Sequence, residues 1–221
     1  MGDEGRDKGG TGGPGTLDAA FFRRWLDAAA ALIDEEAERL TALDSAIGDA
    51  DHGANMRRGF SAVRESLAAE EPASPQAVLA LAGRRLVSTV GGASGPLYGT
   101  LLRRTGKALG EALGERTDPD RTEFAAALRA GIDAVSALGG AKPGDKTMID
   151  ALVPAAEALS TSWEAAAEAA REGAAATVPM RAHKGRASYL GERSEGHEDP
   201  GAASAALLLG ALADTAGRAG A

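Results

Sequence analysis

The sequence predicts an all-α protein of eight helices, and three observations predict it. The β-branched aliphatic residues are few, four Ile and seven Val in 221 residues, so the 44% hydrophobic content rests on Ala and Leu; that balance favours helices over a large sheet. Apolar residues recur at helical spacing along most of the chain. Gly, Pro, Asp and Ser clusters then divide it into segments of helical length.

The same composition bounds the function. The length allows one domain or two small ones. Aromatic residues are 4% of the chain, so the core must be built mainly from Ala and Leu. With a net charge of −8 and no basic run, nucleic acid is not an expected partner. The absence of cysteine excludes disulfides and thiolate metal sites. No apolar run approaches the roughly 20 residues of a membrane span, and the Gly- and charge-rich head MGDEGRDKGGTGGPG lacks the apolar core of a signal peptide. The expectation is a cytoplasmic chain with a disordered segment over 1–15 and a single domain over 16–221.

The first helix is expected from Leu17 to Ile47, on the spacing of Phe22, Trp25, Leu26, Ala29 and Ile33. A loop follows, and a second helix from Asn55 to Ala69 carries Phe60, Val63 and Leu67. Pro72 and Pro75 break it, and Pro75 suits the first turn of a third helix that runs to Thr89. The small-residue stretch from Ser88 to Pro96 precedes a fourth helix, Leu97 to Leu113. A turn at Thr117 to Arg121 leads to a fifth, Thr122 to Leu138. The sixth is expected from Lys146 to Leu159 with Asp145 as its cap, and the seventh from Trp163 to Ala182 with Ser162 as its cap. The longest irregular stretch is His183 to Asp199. Asp199-Pro200-Gly201 then starts the last helix, which runs to Ala216.

The stretch LDSAIGDADHGANMRRGF, Leu43 to Phe60, carries the most chemistry. Asp44 lies at a helix end. Gly48 is read as a helix stop able to take positive φ. Asp49 and Asp51 alternate about Ala50, so an extended loop would aim both one way. Three carboxylates suit a hard cation such as Mg²⁺ or Ca²⁺, and the helix start beyond them suits a phosphate. The alternative, that Asp49 and Asp51 are ordinary turn or cap residues, stays open on this stretch alone. An EF-hand is excluded, because Ala54 and Phe60 fall where its glycine and glutamate are required.

Two other loops are candidates. The run from Ser88 to Pro96 offers free N–H groups and hydroxyls to a phosphate, or is simply a corner where small residues fit. Gly139 to Thr147 is not a P-loop, since Asp145 separates the second glycine from Lys146 and a helix precedes it instead of a strand. In the 183–199 stretch, Lys184, Arg186 and Arg193 with His183 and His197 fit an anionic ligand or a phosphoryl group, or form a solvated charged loop.

Four segments in order, LDSAIGDADHGANMRRGF, VGGASGPLYGT, KPGDKTMIDAL and KGRASYLGERSEGHEDPGAASA, closely resemble the nucleotide-binding L subunit of dihydroxyacetone kinase over about Leu17 to Leu209. The resemblance implies an antiparallel barrel of eight amphipathic helices with ADP or ATP and two Mg²⁺ ions at one end. It implies metal binding by Asp44, Asp49 and Asp51, and nucleotide contacts at His52, Gly53, Ala54, Asn55, Ser88, Thr89, Gly139, Met148, Arg186, Asp199, Pro200 and Gly201. Arg186 is also the implied catalytic residue; no general base is evident. Glu195 departs from the family, which often carries an aliphatic residue there (GERSIGH), and this bears on partner docking. The resemblance implies two partners: a K subunit that holds dihydroxyacetone, and a phosphoprotein M subunit of the phosphotransferase system that recharges the bound ADP. It leaves three alternatives: an ATP-dependent subunit for another small ketose or a fatty acid, a nucleotide-dependent module that signals to a transcriptional regulator, and a metal-dependent hydrolase.

Overall fold

The computed structural model describes residues 16–220. Among them are nine α-helices, one 3₁₀ segment and no strand. The helices are α1 (Ala19–Glu35), α2 (Ala37–Ile47), α3 (His52–Glu70), α4 (Pro75–Thr89), α5 (Ser94–Leu113), α6 (Arg121–Gly139), α7 (Ile149–Ala158), α8 (Trp163–Ala176) and α9 (Pro200–Gly220). The 3₁₀ segment spans Arg186–Ser194. The expected disordered head, 1–15, lies outside the described residues.

Eight of these helices form a ring. From α3 to α9 each packs on its predecessor in chain order, α3 also packs on α1, and α9 closes back on α1. The ring therefore has the eight members expected. The ninth helix appears because the predicted Leu17–Ile47 helix breaks at Glu36 (φ −94°, ψ 1°). No Pro or Gly marks that break in the sequence; α2 instead leaves α1 to pack on α3, α9 and the 3₁₀ segment at one end of the ring.

Local chemistry sets most other boundaries. Ser74 accepts the Ala77 N–H ahead of Pro75, Asp120 and Glu123 form a capping box, and Ser162 accepts the Ala165 N–H at 3.0 Å, each satisfying donors that a helix start leaves free. α8 stops at Ala176, short of the expected Ala182, where Pro179 has no N–H to continue the ladder and the chain tightens into a turn, with Thr177 and Val178 donating to Ala174 and Ala175. α9 runs on past Ala216 to Gly220.

The few aromatics are concentrated in one place. Phe22, Trp25 and Phe124 pack edge to face, and Phe21 and Trp163 flank them, joining α1, α6 and α8. Trp25 also donates its indole N–H to the Leu208 carbonyl at 2.8 Å, fastening α1 to α9 where the ring closes. On the other side α4 and α5 touch backbone to backbone: a Cβ at Gly83 would lie 2.7 Å from the Gly99 carbonyl, and one at Gly99 would lie 2.8 Å from that of Gly83. The interior is therefore filled by side chains, and the functional surface falls at an end. Phe124→Ala should destabilise the chain by about 3–5 kcal/mol in urea denaturation, the range for emptying a buried aromatic site.

Candidate functional site

At one end of the ring the α2–α3 turn brings Asp44, Asp49 and Asp51 together, with one carboxylate oxygen from each within 4.8 Å of the others. The turn achieves this differently from the sequence expectation. Gly48 does not take positive φ; it has φ −138° and ψ −137°. Its missing Cβ is what matters, because one built there would collide with the Asp44 carboxylate. The left-handed residue is Ala50, at φ 62°, so Asp49 and Asp51 converge through a kinked turn and not along an extended strand. Asp44 is buried, and its Oδ2 accepts the N–H groups of Asp51 (2.9 Å) and His52 (3.1 Å) at the start of α3. Asp49 pairs with the Arg186 guanidinium at 2.9 Å. Among the described residues no hydrogen bond or ion pair ends on the Asp51 carboxylate. Three hard anionic oxygens on one point, one of them buried, fit Mg²⁺ or Ca²⁺.

These carboxylates border a cavity of about 410 Å³. One wall is apolar, from Leu97, Val135, Leu138 and Met148, and the Gly91-Gly92-Ala93-Ser94 turn and the start of α9 form others. Lys184 and Arg186 line it from the 183–199 segment. Along the cavity runs a hydrogen-bonded chain: Ser94 Oγ to His52 Nδ1 (3.2 Å), His52 Nε2 to Ser204 Oγ (2.9 Å), and Ser204 Oγ to Tyr98 Oη (2.7 Å). Burial lowers the His52 pKa against the pull of Asp44 and Asp51, and burial raises that of Tyr98. A neutral imidazole serves one neighbour as donor and the other as acceptor.

The 142–150 turn is organised by Asp150, not by Asp145. Asp150 accepts the N–H groups of Gly144 (2.5 Å) and Thr147 (2.8 Å), so α7 begins at Ile149. The expected cap, Asp145, accepts the Lys142 N–H and closes the turn before it. At the start of α9, Asp199 accepts the Ala202 N–H at 2.7 Å, as its cap position requires. Burial pushes the Asp199 carboxyl up to about 7; Asp150 raises it further, and the Ala202 N–H and Lys146 oppose.

Of the sequence-predicted residues, Asp44, Asp49, Asp51, His52, Gly139, Met148, Arg186, Asp199, Pro200 and Gly201 all border the cavity. Gly53, Ala54, Asn55, Ser88 and Thr89 are not among its lining residues. Gly53 gives α3 close access to Ala37 and Thr41 of α2. Asn55 takes a hydrogen bond from Arg58, and Ser88 and Thr89 both donate to the Arg85 carbonyl. The sequence reading missed Ser94, Tyr98, Ser204 and Lys146. All four stood inside quoted motifs, Ser94 and Tyr98 in VGGASGPLYGT, Lys146 in KPGDKTMIDAL and Ser204 in the segment that opens the last helix, but nothing local in the sequence marked what they bond to.

Ring and site together define a class: an all-helical protein with a carboxylate trio and a glycine-rich pocket at one end. The chain belongs to the DAK2 domain family, which it matches over residues 46–214. It is 45% identical over 199 residues to the ADP-binding subunit DhaL of the PEP-dependent dihydroxyacetone kinase of Escherichia coli (strain K12), covering 86% of this chain and 93% of that one. It is 42% identical over 212 residues to D-erythrulose kinase of Mycolicibacterium smegmatis, covering 90% of this chain but 36% of that protein. The fold matches the crystal structure of the C. freundii dihydroxyacetone kinase in complex with AMP-PNP and Mg²⁺, with a TM-score of 0.71 and 26% identity over 97% of this chain and 37% of that one.

The Asp199 shift fixes a pH dependence. Its carboxyl titrates near 3.8 when unfolded and near 7 when folded, so between those values the native state holds a proton that the unfolded chain has lost. Stability contributed by this group falls as pH rises through that window. Asp199→Asn should remove the fall: in urea denaturation at pH 4.5 and 7.5, the variant's stability should drop by about 1–3 kcal/mol less than that of the unsubstituted chain.

Proposed function

We propose that this chain is the ADP-binding subunit of a phosphoenolpyruvate-dependent dihydroxyacetone kinase, a phosphotransferase. It would work with a separate subunit that holds dihydroxyacetone and with a phosphoryl-donor subunit of the phosphotransferase system. The observation that carries this reading is the convergence of Asp44, Asp49 and Asp51 at the mouth of a cavity with an apolar wall and a glycine-rich turn. The names of the subunits it resembles support the reading.

Asp44, Asp49 and Asp51 would hold Mg²⁺, two ions in this reading, and the Leu97–Val135–Leu138–Met148 wall would take the adenine. When bound, Mg²⁺ neutralises polyphosphate charge and screens it from an incoming nucleophile. The chain's own contribution is positioning. The buried Asp44 is oriented by two N–H groups, the Gly91–Ser94 turn presents backbone donors, and Arg186 brings a positive charge to the rim. Phosphoryl transfer depends mainly on such placement and charge. Similarity to D-erythrulose kinase favours a second reading, a subunit for another small ketose that exchanges ATP as a substrate.

Calorimetry with MgADP should show binding that weakens by about 10–100-fold or more in Asp49→Ala and in Asp51→Ala; unchanged affinity in both would overturn the site assignment. Native mass spectrometry without added nucleotide separates the two readings. A mass excess of ADP with two Mg²⁺ supports the resident cofactor. An empty chain that takes up ATP weakly supports the exchanging kinase.

A further inference from the structure

Among the described residues, Lys146 is the one lysine whose ammonium is enclosed by backbone carbonyls, and the proposed reaction has not used it. It is 1% exposed and stands at φ 60°, a left-handed conformation that glycine takes freely and other residues take at a cost. It borders the cavity, and its Nζ donates to four carbonyls: Thr177 (2.9 Å), Met180 (3.1 Å), Ser194 (2.7 Å) and His197 (2.5 Å). Three ammonium protons thus serve four oxygens.

Those carbonyls are not scattered. Thr177 and Met180 precede the 3₁₀ segment Arg186–Ser194, and Ser194 and His197 end or follow it. The two feet of the segment therefore meet on one ammonium. Backbone pairing reinforces the same junction: Gly196 donates to Val178 (2.8 Å) and Ala182 donates to Ser194 Oγ (2.9 Å). Between the feet, Ala187 and Leu190 rest on Ile47 of α2, beside the carboxylate turn. Arg186 is placed against Asp49 by this arrangement.

We infer that Lys146 is a positioning residue: it staples both feet of the 183–199 segment and so fixes Arg186 over the carboxylate trio for phosphoryl transfer. This rests on the function proposed above for its catalytic part and on geometry alone for its structural part. The staple is an ammonium among carbonyls, so the charge and its donors are what matter, and the four-carbon stem is only a tether.

The test uses the full chain with two variants. Lys146→Met keeps the stem and removes the ammonium. Lys146→Gly suits the left-handed backbone and leaves room for n-propylammonium. Amide hydrogen exchange over 183–199 should rise at least about tenfold in both, and added n-propylammonium, but not n-propanol, should restore protection in Lys146→Gly. With the kinase partners present, transfer should fall about 10–100-fold while MgADP affinity stays within about threefold. In an Arg186→Ala background Lys146→Met should add little further loss, since both act through one group. Unchanged exchange over 183–199 in the variants overturns the staple. Loosened exchange with unchanged transfer, or losses that multiply with Arg186→Ala, overturns its link to Arg186. If the unsubstituted chain binds no MgADP, the proposed function fails, and the exchange measurement still decides the staple.

Discussion

Like charges must be held together at this site, and the rest of that end of the molecule answers to it. Two carboxylates about 4.8 Å apart repel by about 3 kcal/mol at an effective dielectric near 20, less where water screens the outer pair. Asp44 is compensated by the Asp51 and His52 N–H groups and by the positive end of α3, and Asp49 by Arg186. The turn that allows this needs Gly48 without a side chain beside Asp44 and Ala50 in a left-handed conformation. It also needs α2 to leave the line of α1 at Glu36, so that the carboxylates reach the open end of the ring.

The filled ring makes that concentration of chemistry at one end physically sensible. Trp25, Phe22 and Phe124 close the centre, and Gly83 and Gly99 bring α4 and α5 into backbone contact. Nothing polar could enter there without leaving groups unpaired. Helix ends, by contrast, always carry free N–H and C=O groups. The starts of α3, α5 and α9 all reach the same cavity, so binding groups are supplied by elements whose positions the core has already fixed.

What the sequence showed and what it hid divide along the same line. Helical periodicity, Pro75 at a first turn and caps at Ser162 and Asp199 are local, and they placed most of the helices to within a few residues. The Asp trio was legible because three acids in eight residues leave a recognisable trace. The break at Glu36 was not, since no breaker residue stands there and only packing against α3, α9 and the 3₁₀ segment imposes it. Gly48 was read for backbone freedom when its role is to leave space. Asp145 was favoured as a cap by its position next to a helical pattern, yet Asp150, inside the first turn, reaches back to Gly144 and Thr147. Lys146 looked like the residue of a failed P-loop because its partners lie more than thirty positions away.

That last misreading bears on how Arg186 is placed. An exposed ion pair contributes about 0–1 kcal/mol, and the Arg186 side chain is 70% exposed. Asp49 therefore cannot by itself order the segment that carries Arg186. The ordering has to come from interactions further in, and beside the backbone pairing at its feet two stand out: the apolar seat on Ile47 and the ammonium of Lys146 among four carbonyls. The second is the stronger, because it ties four carbonyls to one ammonium, and the buried Ser194 carbonyl, with no other partner among the described residues, would otherwise be left unpaired at a cost of about 1–3 kcal/mol. A charged group buried among backbone carbonyls thus decides whether a weakly held one stands beside the carboxylates. The left-handed backbone at Lys146 is tolerated for the same reason: the carbonyls fix where the ammonium must sit, and the chain bends to deliver it.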